Sequence, residues 1–174
     1  MASVVFLRGV NVGGHKTFRP ARVARALAAL DVVNVGAAGT YVVRKAIGPA
    51  ALRAALGKKL PFEAELMVCP AREILDLVAA APFPSTKAGK DVRPFVTVMA
   101  KRPRSVPPLP VSKPAGDDWQ VKVVAVSGTF ALSLWRHLGR SILYPNEMVE
   151  KTFGVAATTR SWNTILKIRD LLEA

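Results

Sequence analysis

A short apolar strand at the amino terminus, helices opened by proline, and two β-rich runs joined by a glycine turn predict an α+β protein built in two unequal halves. In the first half the elements run β-α-β-β-α-β over residues 3–69. That is the split order of a ferredoxin-like subdomain, with helices covering one face of an antiparallel sheet. The second, smaller α+β half carries a β-hairpin and a C-terminal helix. The expected division is 1–84 for the ferredoxin-like subdomain and 85–174 for the other, with a proline-rich connector at 102–114.

Each element has a local reason. Val4 to Leu7 is a continuous apolar run, the pattern of a strand buried on both faces. Pro20 suits the first position of a helix, where its missing N–H is no loss, and Val23, Leu27 and Leu30 follow at helical spacing. NVGAAG is a weak extended segment broken by glycines, and Tyr41 to Arg44 reads as a strand. Gly48-Pro49 opens a second helix with Leu52, Leu56 and Leu60 in one stripe. Leu66 to Cys69 is a strand, and Pro70 opens a third helix through Ile74, Leu77 and Val78 that Pro82 stops.

Pro94 to Ala100 begins the second half as a strand. RPRSVPPLPVSKP has no packing periodicity and is expected as polyproline II or coil. Trp119 to Val126 and Thr129 to Trp135 form a hairpin hinged at Ser127-Gly128. Pro145 to Phe153 is a short helix closed by Gly154. Ser161 or Asn163 caps a terminal helix bearing Ile165, Ile168 and Leu172.

The 174 residues suffice for a packed core, and no apolar run reaches the roughly 20 residues that span a bilayer. Arg8 cuts the first apolar stretch too short for a signal peptide, and Cys69, the single cysteine, excludes an internal disulfide framework. A cytoplasmic protein without membrane partners is expected. The formal charge of +13 is uneven: residues 1–60 hold ten basic side chains against Asp31 alone, a net +9. Such a region attracts phosphate-bearing partners in a salt-dependent way. Its rings are few (Phe6, Phe18 and Tyr41), which argues against an extended base-stacking platform.

Gly9 to Thr17 nearly matches the phosphate-binding P-loop but is one residue too long, and the helix expected at Pro20 starts too late to point into it. What remains is a Gly13-Gly14 turn flanked by Arg8, Asn11, His15 and Lys16, able to offer backbone and side-chain donors to an anion. The competing reading is a tight turn whose glycines supply positive φ and nothing more. Cys69, at the end of an apolar strand, reads as a core residue before a nucleophile. His15, His137 and Cys69 have no metal-ligand spacing, so neither metal nor cofactor is expected. Arg104 to Pro110 spells R-x-x-P-x-x-P, the pattern of SH3 ligands, here read as a connector. Thr158 to Thr164, TTRSWNT, puts more hydrogen-bonding side chains at a helix start than capping requires; the surplus either pins the helix or adds Arg160 and Asn163 to an anion site.

LRGVNVGG at the start, APFP at 81–84 and ATTRSWNTILKI near the end together resemble a bacterial family, domain of unknown function 1697 (DUF1697). The resemblance covers essentially the whole chain. It implies an α+β fold with a ferredoxin-like N-terminal part, and no reaction, cofactor or partner. The chain departs from the family pattern at residues 36–44, where Gly-Ala-Ala-Gly-Thr-Tyr-Val-Val-Arg replaces a strand of the Y-I-Q-S-G-N-V-V-F kind, so a polar group is missing.

Three functional classes follow. The first is a non-catalytic module binding an anionic ligand, nucleic acid or a nucleotide phosphate, through the basic N-terminal face, with Arg8, Asn11, Gly13, Gly14, His15, Lys16, Arg160 and Asn163 as candidates. The second is an enzyme acting on a small phosphorylated or carboxylated metabolite, with His15 as acid or base. The third is a structural protein recognising another chain through a sheet face or edge.

Overall fold

The computed structural model describes residues 1–83, 91–138 and 143–174. Pro84, which ends the APFP motif, lies outside the described residues. The fold is α+β, with two antiparallel sheets and five α-helices among the described residues. The chain groups into two compact units, Met1–Ala80 with Asn163–Ala174, and Ala81–Trp162. The terminal helix, expected in the second half, is thus grouped with the first.

The first unit contains β1 (Ser3–Leu7), α1 (Pro20–Ala26), a 3₁₀ turn (Ala28–Leu30), β2 (Val32–Asn34), β3 (Thr40–Val43), α2 (Pro49–Gly57), β4 (Leu66–Pro70) and α3 (Ala71–Ala79). Its sheet has the order β2-β3-β1-β4, every neighbour antiparallel. All five residues of β1 are buried, as a continuous apolar run between two partner strands requires. Val5, Leu7, Tyr41 and Val43 pack on one face with Val23 and Leu27 of the α1 segment and Leu52 and Leu56 of α2. Proline opens α1 and α2 at the first turn, as its fixed φ favours. α1 stops short of Leu30 because the chain tightens into the 3₁₀ turn and ends on left-handed Asp31.

The second unit contains β5 (Val92–Met99), β6 (Val111–Lys113), β7 (Val121–Ser127), β8 (Phe130–Arg136), α4 (Pro145–Phe153) and β9 (Ala157–Ser161), with sheet order β6-β7-β8-β5-β9. Met148 and Val149 of α4 pack on Met99, Val121, Val123, Ala131 and Ala157. Pro94 is tolerated in β5 because β9 pairs only from Phe95 onward, leaving that side of Pro94 without a partner strand. The last helix, α5 (Trp162–Glu173), returns to the first unit, where the Arg44 guanidinium donates to the Leu171 carbonyl at 3.1 Å.

Three local expectations need correction. The proline-rich segment is not wholly coil: Val111–Lys113 pairs with Val121–Val123, completing the edge of β7. The hairpin turns on Gly128-Thr129, since Ser127 pairs Phe130; Gly128, with φ +60°, takes the first central position where type II′ turns need glycine. The first half of TTRSWNT is strand and not helix start. Its β-branched threonines suit β9, and Thr159 meets Thr97 across the ladder at 2.8 Å between hydroxyls.

Among the described glycines, Gly39 is the one with no room for a side chain. Its φ is +78°, and a Cβ there would sit 2.8 Å from both Leu7 Cβ and Val10 Cγ2. Gly39→Ala is expected to cost about 2–4 kcal/mol, because strained φ and overpacking add. Gly13→Ala meets open space and should cost only about 1–2 kcal/mol for its left-handed backbone. Urea midpoints of the two variants check the ranking.

Candidate functional site

The chain leaving β1 is held by its neighbours before it turns. Leu7 N–H donates to the Gly39 carbonyl at 2.8 Å and Arg8 N–H to the Glu65 carbonyl at 3.0 Å. Val12 and His15 then form a bridge around Gly13-Gly14, with Asn11 N–H reaching the Lys16 carbonyl at 3.2 Å. Gly13 and Gly14 have φ of +56° and +75°, the pair of left-handed positions a type I′ turn demands. The turn alone therefore accounts for both glycines. Val12 stands at its tip, 65% exposed, beside exposed His15.

Asn11 is the clamp of this loop. It tolerates φ +52°, its amide donates to the Ala37 carbonyl at 2.8 Å, and its side-chain oxygen accepts from Phe18 N–H at 2.9 Å. Lys16 donates its ammonium to the Glu63 carbonyl at 2.7 Å and lies 5.7 Å from the Phe62 ring centre. Arg8 faces Glu65 at 3.6 Å. These three candidates thus have structural work within the unit.

The other two candidates lie elsewhere in the chain. Arg160 belongs to β9 of the second unit, only 6% exposed, and its guanidinium donates to Thr158 Oγ1 and the Thr159 carbonyl. Burial draws its pKa down to about 10. Asn163 is exposed on α5, in the first unit. The R-x-x-P-x-x-P segment has its Pro107 and Leu109 half-buried, with Leu109 packed on the core of the second unit, which suits a connector better than a presented ligand.

The feature that spacing did not single out follows directly after the turn. Thr17, Phe18, Arg19, Arg22, Val23, Lys59 and Pro61 line a cleft of about 350 Å³. Three cationic residues and one hydroxyl residue line it, and its lining holds no carboxylate. Arg19, Arg22 and Lys59 make no ion pair among the described residues. Phe18 is fixed by an edge-to-face contact with Phe62, centroids 5.4 Å apart. The signal available in sequence was Arg19 and Arg22 three apart around the helix-opening Pro20; Lys59 is brought in only because α1 and α2 cover the same sheet face. A larger depression beside it, about 720 Å³, mixes Arg53 with Glu63 and shares only Pro61 with the cleft.

Catalytic candidates gain little. Cys69 is 4% exposed, and burial, with a smaller contribution from Glu73, pushes its thiol up to about 12, so it is not an activated nucleophile. Among the described residues no group of three or more His, Cys, Asp or Glu side chains is placed to hold a metal ion. No helix among them is long and apolar enough to cross a membrane.

The family model for DUF1697, described as a protein of unknown function, matches residues 1–126. Among solved structures the chain is similar to the conserved bacterial protein SP0830 from Streptococcus pneumoniae, at 16% identity with a TM-score of 0.57. That similarity covers 98% of each chain and speaks for the fold alone. No curated protein matches the chain.

Two measurements check this local chemistry. Asn11→Ala should lower stability by about 1–3 kcal/mol, since it removes two hydrogen bonds and a left-handed-tolerant residue. For Cys69, the unfolded thiol ionises near 9.0 while the folded one stays protonated to about 12. The folded state then binds more protons above pH 9, so its stability is full below that point and falls as pH rises, by about 1.4 kcal/mol per pH unit. Cys69→Ala should flatten the loss between pH 9 and 10 in urea titrations, before Tyr41, also raised by burial, begins to contribute.

Proposed function

Since the chain belongs to the DUF1697 family, whose description carries no activity, we propose from its geometry that the first unit binds a phosphate-bearing ligand in the Arg19–Arg22–Lys59 cleft without acting on it. The observation that carries this reading is the set of three cations sharing one concavity with no carboxylate in the lining. Like charges held together repel, and an anion that joins them relieves that repulsion while gaining charge-assisted hydrogen bonds. Two of the three are arginines, whose planar forks match phosphate oxygens. Thr17 adds a neutral donor, and Phe18, Val23 and Pro61 give the rest of a ligand an apolar wall. About 350 Å³ falls in the range of small-ligand pockets.

Binding without catalysis is supported by the lining itself, which offers no histidine, cysteine or carboxylate to move a proton. Lys16 adjoins Thr17 in sequence, while Arg8, Asn11, Gly13 and Gly14 serve by shaping the turn. A cytoplasmic setting, rich in phosphorylated small molecules, fits this reading. So does the ferredoxin-like assignment of the first unit, which its fully antiparallel order β2-β3-β1-β4 supports.

Pyrophosphate should raise the melting temperature of the full chain, more strongly at low than at moderate salt. Arg22→Glu with Lys59→Glu should weaken pyrophosphate binding at least about tenfold, as the loss of charge-assisted bonds worth about 1.5–3 kcal/mol each implies. Arg72→Glu, on α3 and paired with Asp76 at 3.7 Å, serves as a control and should leave it unchanged. Equal binding by the double variant would sink the proposal.

A further inference from the structure

Resting on that reading of the cleft, we propose that its ligand is a single strand of nucleic acid, held by consecutive backbone phosphates with a base against Phe18. The positive charge does not stop at the cleft wall. Arg25 continues the row Arg19, Arg22 along α1, and Lys58 stands next to Lys59 at the end of α2. All five are exposed, and none makes an ion pair among the described residues. At 1.5 Å rise per residue the arginine row alone extends about 9 Å. One phosphate group is satisfied by two or three donors; five cations spread through and beyond a cleft match a repeating anion better.

Two of the three carboxylates nearest in sequence are occupied, and the third, Glu63, lines the neighbouring depression and not the cleft. Asp31, the sole acid of residues 1–60, faces Arg44 at 3.7 Å, and Glu65 faces Arg8 at 3.6 Å. The concave shape selects the strand form. A duplex presents its phosphates on a convex cylinder and needs a protruding element to enter a groove, whereas a recess accepts a flexible single strand. Phe18 lies in the lining with its backbone held by Asn11 and its ring by Phe62, a rigid surface for one base. With one ring, base identity counts for little, and a short site of about four nucleotides follows.

The test uses the full chain and labelled thymidine oligonucleotides of two, four and eight residues, read by fluorescence anisotropy at about 50 and 200 mM salt. An eight-residue uridine strand and a duplex are run beside them, and pyrophosphate binding is followed by thermal shift. Affinity is expected to rise at least tenfold from two to eight residues. The slope of log K against log salt should be about −3.5, from about five neutralised phosphates on a single strand. Arg25→Glu with Lys58→Glu, both exposed and outside the lining, should cut eight-residue binding at least tenfold and spare pyrophosphate. Phe18→Leu should weaken the strand about fivefold or more. Comparable binding of the uridine and thymidine strands supports a backbone-held strand of either sugar. If pyrophosphate binds but eight residues bind no better than two, or the duplex binds as well as the strand, the strand proposal falls and the phosphate cleft stands. If pyrophosphate does not bind, both fall.

Discussion

Strand β1 has no free edge and no exposed face, and the candidate site depends on how the chain escapes from that position. β3 and β4 occupy its two edges, and all five of its residues are buried. A backbone leaving such a place must find partners at once, since an unpaired buried amide or carbonyl costs about as much as a lost hydrogen bond. Leu7 and Arg8 donate to Gly39 and Glu65, and the Asn11 side chain then substitutes for a strand by bonding Ala37 and Phe18. Only after this does Pro20 open α1. The cleft is what lies between that tethered exit and the end of α2.

The charges of the first unit divide into two populations. Arg8, Arg44 and Lys16 have partners in Glu65, Asp31 and the Glu63 carbonyl. Exposed pairs of this kind add about 0–1 kcal/mol and are not what holds the fold. The first two pairs tie up Glu65 and Asp31. Charges within a Debye length of about 8–10 Å still feel one another at ordinary salt. Arg19, Arg22, Arg25, Lys58 and Lys59, all exposed and without an ion pair among the described residues, add like charge to one unit, a liability for stability and an asset for capturing an anion.

What could be read in the sequence followed local physics. A short apolar run marked β1, prolines marked the starts of α1 and α2, and Gly154, in the left-handed region at φ +66°, closed α4. What was not legible depended on partners distant in the chain. Ala157–Ser161 pairs with β5 through Thr159 and Thr97, sixty-two residues apart, so counting its polar side chains suggested a helix cap where a ladder was needed. Arg22 and Lys59 have no sequence relationship; a shared sheet face makes them neighbours. Asn11 looked like a ligand donor because its type and place suited one. Its conformation and both its hydrogen bonds give it a structural task in the loop.

The backbone of residues 36–39 bears on the same question. Gly36 to Gly39 lies against the N-terminal loop: Ala37 accepts from Asn11, and Gly39 fits beneath Leu7 and Val10 with no room for a side chain. The exposed positions 37 and 38 carry methyl groups, so this loop supplies backbone to the fold and no side-chain donor to a ligand. The cleft is built from different residues, among them Thr17, Arg19, Arg22 and Lys59. The Asn11 clamp thus has exposed methyl groups at Ala37 and Ala38 beside it and, further along the chain, the exposed cations of the cleft.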